Sequence, residues 1–304
     1  MATIGSWVDA AGGVLHKRRL VALGARDRDL TRAVRSGEVR RARRGWYTTL
    51  SQADPRFVAL RVGGRLTGVA ALEQLAAWLP RRRMQMTVSV PRNAARLRGP
   101  DGVRVVYDGI DVLARGDLTV VAPKDALPRA LLELEFDEAV TLLDWARRSD
   151  WFDESDVAEV MSKLPADARG VLEWSNPTSE SFIESLARVR SELDGRRVVT
   201  QVPVGRRQFF DLEVDGVVAI EVDGREFHAD SFEADRRKDL AIILEGRFPI
   251  RLTYDMVVHQ WQRVAEAVDR ALAMHHDGGS PPPRRRRLPR RRGSRPWLLP
   301  ACTL

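Results

Sequence analysis

The chain has 304 residues, 44% of them hydrophobic, which is enough for buried cores and excludes a globally disordered protein; at roughly 100–200 residues per domain, two or three domains are expected. No apolar run reaches the roughly 18 residues of a membrane span, Met1–Gly24 lacks the charged, apolar, small order of a secretion signal, and a single cysteine, Cys302, excludes intrachain disulfides and cysteine-rich zinc sites. The expectation is a cytoplasmic protein with no membrane association. The net charge of +8 equals the eight arginines after Asp277, Arg284 to Arg287, Arg290 to Arg292 and Arg295. Residues 1–50 carry eleven bases against four acids, and residues 51–277 balance that with an equal acid excess.

In chain order, residues 1–50 read as helices followed by a small hairpin. Val14, Leu20 and Val21 form the apolar side of a helix closed by Leu23-Gly24. Asp27 can cap the next helix, whose buried side is Leu30, Ala33 and Val34 and whose end is Ser36-Gly37. Val39 to Tyr47 alternates around Gly45 as a hairpin. Arg28, Arg32 and Arg35 on that helix, with Arg41, Arg43 and Arg44 on the hairpin, are candidate phosphate contacts.

Residues 51–175 read as a middle α/β domain. Helices are expected over 69–79, 128–148 and 154–164, strands over 84–90, 103–107 and 118–121. No catalytic constellation is visible there. Residues 176–277 give a helix (181–193), three strands (198–204, 209–214, 217–222), a helix (232–244), a strand (250–253) and a last helix (256–274). Asp215-Gly216 suits a two-residue hairpin turn. The tail, 278–304, is rich in Arg and Pro and is expected to be disordered.

The chemistry concentrates in the third segment. Asp211 and Glu221 sit in apolar strands folded together by the Asp215-Gly216 turn, so the two carboxylates can meet. Facing carboxylates repel and raise each other's proton affinity. A hard cation such as Mg²⁺, with Mn²⁺ as a substitute, relieves that repulsion and can activate water beside a phosphate. Asp223, two residues after Glu221, shares its face. Glu184 on the preceding helix is a fourth candidate, His228 a candidate acid, base or phosphate donor, and Arg237 and Lys238 candidate phosphate contacts. Plainer readings stand beside these. Asp211 and Glu221 fit solvated edge acids, Asp223-Gly224 a turn, Glu184 an i,i+4 pair with Arg188, and Asp235 to Asp239 a solvated helix face.

The runs Phe210-Asp211-Leu212, Ala219-Ile220-Glu221-Val222-Asp223-Gly224-Arg225-Glu226-Phe227-His228 and Asp235-Arg236-Arg237-Lys238-Asp239, with Gly246, resemble very-short-patch-repair-like endonuclease domains of the PD-(D/E)XK superfamily. Ser181, Glu184, Ser185 and Arg188 match that family's S-x-x-E-S-x-x-R helix. The resemblance covers about residues 178–270. A weaker one, carried by Gly12-Gly13-Val14, Leu23-Gly24, Val34-Arg35-Ser36-Gly37 and Arg43-Arg44-Gly45-Trp46-Tyr47, is to the winged helix of AbiEi-type antitoxins. Together they imply an α/β (α+β multidomain) chain: a winged helix, a middle α/β domain, and a restriction-endonuclease-like mixed sheet flanked by helices. They imply a metal-dependent endonuclease or nickase acting on DNA, in phage defence or repair, with a toxin–antitoxin or defence partner as a further implication. The alternative is a non-catalytic DNA-binding regulator on an inactive nuclease fold. Asp223 stands where the superfamily's name places a lysine, and Lys238 where the resembled family usually has arginine. Either His228 or Lys238 fills the lysine's role, or the chemistry differs, or the domain does not cut.

Overall fold

The computed structural model describes residues 2–82, 84–95, 97, 101–205, 208–223 and 232–276. It is a mixed α/β chain of two compact units, which divide between Glu133 and Leu134; the short stretch Ala77–Pro80 groups with the second. His228 and the tail 278–304 lie outside the described residues.

The first unit begins with α1 (Ile4–Ala10), which Thr3 and Ser6 cap reciprocally. Val14 is not on a helix, as its spacing suggested, but opens strand β1 (Val14–His16). There it pairs with Thr48 of β3 (Trp46–Thr48), the central strand of a β1-β3-β2 sheet whose third member is β2 (Arg40–Arg43). Tertiary pairing decides this, because three residues are too few for periodicity to separate strand from helix. Helices α2 (Lys17–Ala22) and α3 (Asp27–Arg35) follow as expected. The cap of α3 is not Asp27, however: Asp29 accepts from Arg26 N. Leu30 and Ala33 enter the core with Ile4, Val8, Leu20 and Tyr47, whereas Val34 is exposed.

The same unit continues with α4 (Pro55–Val62), β4 (Arg65–Thr67), a short α5 (Val69–Leu72), β5 (Met86–Pro91), β6 (Val103–Asp108), α6 (Ile110–Ala114) and α7 (Pro123–Glu133). Its second sheet runs β4-β5-β6. The strand expected at 118–121 reduces to one bridge, Leu66 to Val120. The buried Thr87 hydroxyl donates to Glu133, which also accepts from Val69 N, while Arg129 pairs with Asp108 at 3.0 Å. Burial holds the Glu133 carboxyl above its ordinary pKa. These carboxylates have their partners within the unit, which suits a structural role.

The single helix expected at 128–148 is two. Glu138 accepts from Glu135 N at 3.3 Å, and Asp137 from Glu138 N at 3.1 Å, where α8 (Phe136–Arg148) starts afresh. With α9 (Glu154–Lys163) and α10 (Val171–Trp174), α8 groups with the second unit. Its anchor is Asp144, fully buried, which accepts from Ser175 and Ser185 hydroxyls and from Arg188 at 2.8 Å. Ser185 and Arg188 lie on α11 (Phe182–Leu193).

The sheet of the second unit is ordered β10-β9-β8-β7: β7 (Val198–Val204), β8 (Gln208–Val214) and β9 (Val218–Asp223) are antiparallel, and β10 (Phe248–Thr253) joins β9 in parallel after α12 (Phe232–Leu244). Asp215 and Gly216 take φ of 52° and 74°, the left-handed pair that a two-residue hairpin requires. Two helices, α13 (Tyr254–His259) and α14 (Trp261–His276), replace the single one expected; the helix breaks at Gln260. One cluster joins Ile183, Leu186 and Ala187 of α11 to Leu212, Val214, Val218, Ile220 and Val222 and to α13 and α14. A second joins Val202, Val204, Phe210 and Ala219 to Ile242 of α12.

Candidate active site

The site forms where the β8–β9 ladder opens. Pairing runs Val214 to Val218, Glu213 to Ala219 and Leu212 to Ile220. The ladder ends there, one residue short of Asp211 on β8 and of Glu221 on β9. Asp211 Oδ2 accepts from Val222 N at 2.7 Å, a bond to the neighbouring strand made by a side chain. Glu221 is 7% exposed. It follows Ala219 by two residues and so faces α12.

From α12, Lys238 Nζ contacts Glu221 Oε1. Arg251 of β10, in register beside Glu221, holds the other oxygen at 3.0 Å, reaches Asp223 at 3.6 Å and pairs with Asp239 at 3.0 Å. Glu184 arrives from the opposite side. Ser181, the N-cap of α11, and Glu184 bond side chain to side chain at 2.8 Å, and Glu184 Oε2 accepts from Glu180 N at 2.9 Å and from Gln201 Nε2 at 3.3 Å. The plainer i,i+4 reading of Glu184 gives way, since Arg188 pairs with Asp144 and Glu192 instead.

Burial raises the pKa of Glu184, and the charge of Asp211 adds to that rise. Burial likewise raises Asp211; the Val222 N–H and the Lys238 ammonium oppose the rise, and Asp223 and Glu180 add to it. Burial lowers Lys238. Electrostatics thus link Glu184 to Asp211 and Asp211 to Asp223, and Arg251 bridges Asp223 and Glu221. Carboxylate oxygens are the donors that a hard divalent cation takes, with several waters kept. Among the described residues, no three His, Cys, Asp or Glu side chains are gathered closely enough to hold an ion by themselves.

Sequence reasoning named Glu184, Asp211, Glu221, Asp223 and Lys238 and missed Gln201, Arg251 and Asp239 as members of this neighbourhood. A charged residue inside the apolar strand Phe248–Thr253 was the available signal for Arg251. Arg237 is exposed on α12.

In the first unit, Arg28, Arg32 and Arg35 share the exposed stripe of α3 opposite buried Leu30 and Ala33. Arg41 and Arg44 instead line a cleft of about 760 Å³ with Lys17, Arg18, Thr31 and Tyr47, and Asp27 sits in it paired to Lys17 at 2.8 Å. Arg43 is turned elsewhere: Nη1 meets the Val62 carbonyl at 3.5 Å, over the Cα of Gly63.

No family model and no curated protein matches this sequence. No helix among the described residues is long and apolar enough to cross a membrane.

Proposed function

We propose that the chain is a metal-dependent DNA endonuclease or nickase whose second unit is a PD-(D/E)XK-type nuclease domain and whose first unit, with a winged-helix-like start, engages DNA. The observation that carries this reading is the placement of Asp211 and Glu221 on adjacent strands just past the last β8–β9 pair, with Glu184 electrostatically coupled to Asp211 and a lysine on Glu221. Asp211 and Glu221 would hold Mg²⁺ or Mn²⁺, with Asp223 as an outer carboxylate. A bound ion of this kind supplies positive charge for a scissile phosphate and an activated water. Lys238 supports the reading because it brings an ammonium to the second acid from α12, the group that the strand position held by Asp223 lacks. Its lowered proton affinity suits a group that gives up or shares a proton. Arg251 fixes the Glu221 carboxylate, and Glu184 keeps acid character next to Asp211.

The cations of the first unit suit the phosphate backbone, because such contacts are ionic and do not depend on sequence. A cytoplasmic role in phage defence or repair, with a toxin–antitoxin or other defence partner, follows from the resemblances alone.

The test is nicking of supercoiled plasmid with Mg²⁺ or Mn²⁺, with and without chelator, for the parent, Asp211→Ala and Glu221→Ala. Cleavage should require metal and both acids, while DNA binding persists. Equal cleavage by the double variant and the parent refutes the assignment. A second reading, a DNA-binding regulator on a nuclease scaffold, draws on one observation: both oxygens of Glu221 already carry cationic partners. Salt-sensitive binding with no nicking at any metal concentration selects it.

A further inference from the structure

Gln201 lies inside β7 with φ of 51°. Left-handed backbone sets the Cβ of an L-residue against the following carbonyl. Among the described residues only Ala76 and Asp215 share this state without being glycine, and both end or turn an element: Ala76 terminates a 3-10 turn and Asp215 opens the β8–β9 hairpin. Nothing in an ordinary strand calls for it, and such outliers gather at functional sites.

Three further observations fall on the same residue. Its amide Nε2 is 3.3 Å from Glu184 Oε2. The pairs Thr200 to Leu212 and Val202 to Phe210 bracket it, so Gln201 stands opposite Asp211. The apolar residues of the strand also change sides here. Val198 packs with the α11 and α14 cluster, whereas Val202 and Val204 belong to the α12 cluster. A regular pleat keeps residues of like parity on one face. The left-handed residue breaks that alternation where one core hands over to the other, and Glu184 and Asp211 come within electrostatic reach of each other at that seam.

We infer that Gln201 is a positioning residue of the candidate site: its left-handed backbone turns β7, and its amide holds the Glu184 carboxylate beside Asp211. The inference rests on the nuclease reading above. Glycine takes this φ without strain but has no amide, so Gln201→Gly separates the backbone's role from the side chain's.

The experiment uses the full chain: thermal unfolding, calorimetric Mn²⁺ titration and plasmid-nicking kinetics for the parent, Gln201→Gly, Glu184→Gln and the double variant. Gln201→Gly should unfold at or above the parent temperature and keep its KM for DNA, while kcat and Mn²⁺ affinity fall by about 10–100-fold, the usual loss when a group orienting a ligand is removed. The double variant should lose no more than Glu184→Gln alone, since the two act as one unit. Parent-like kcat and Mn²⁺ affinity in Gln201→Gly overturn this inference alone. So does a fall in melting temperature that accounts for the lost activity, because the amide is then structural. A parent that neither nicks DNA nor binds Mn²⁺ overturns the nuclease reading and this inference with it.

Discussion

Lys238 on α12 and Glu221 on β9 form a direct ion pair, though seventeen positions separate them in sequence. The pair places a partly buried ammonium against a buried carboxylate, with Arg251 on the other oxygen. If Lys238 takes part in proton transfer, Lys238→Ala should cut the nicking rate by about 100-fold or more, within the usual range for a positioned acid or base. Lys238→Arg keeps the charge but cannot give up its proton near neutral pH. It should therefore retain DNA affinity without recovering the rate. Equal rates for the parent and Lys238→Arg would show that charge alone suffices.

Asp211 is a test of stability against function. Burial raises its pKa in the folded chain above the unfolded value. The folded state then keeps a proton that the unfolded state has released, so folding is penalised once pH rises above the unfolded pKa of about 3.9. Asp211→Asn cannot ionise and still offers an acceptor to Val222 N. In chelator, its melting temperature should exceed the parent's at pH 7, and the gain should shrink to nothing as pH falls to about 4. Cleavage should be lost throughout. Calorimetric scans at several pH values read the first result, and an Asn variant less stable than the parent at pH 7 contradicts it.

Arg188 and Asp144, 2% and 0% exposed at the side chain, tie α8 to α11. Removing one member leaves a buried charge without its partner, at a cost of about 3–5 kcal/mol. Urea unfolding of Asp144→Ala should show that loss, with a smaller one for Asp144→Asn, which keeps an acceptor. A loss below about 1 kcal/mol, the range of an exposed pair, would mean that water reaches the pair.

The cationic cleft of the first unit predicts a salt signature. If Arg41 and Arg44 neutralise one phosphate each, Arg41→Ala with Arg44→Ala should lower the slope of log affinity against log salt by about 1.8 on duplex DNA. Asp27→Ala, which frees Lys17, should strengthen binding. An unchanged slope in the double arginine variant places the DNA elsewhere, with the outward stripe Arg28, Arg32 and Arg35 as the next surface to test.

Local chemistry made much of this chain legible in its sequence. Asp215-Gly216 specifies its turn because both positions need left-handed backbone, and that turn pairs β8 with β9 as far as Leu212 and Ile220. Ser181 and Glu184 announce the start of α11, and the alternation of β7 to β9 marks the strands. Short or uncapped elements were less legible: β1 has three residues, and the break between α7 and α8 is marked by no more than the Glu138 and Asp137 carboxylates accepting from backbone N–H groups.

The sequence by itself determined which acids stand on neighbouring strands, because register and face follow from a turn and a period of two residues. Only the tertiary structure decided that Lys238 and Arg251 reach Glu221, that Arg188 belongs to Asp144 and not to Glu184, and that β7 turns over at Gln201. Each of these depends on how helices lie against the sheet. That is set by the packing of whole apolar faces, so no local pattern of residues encodes it.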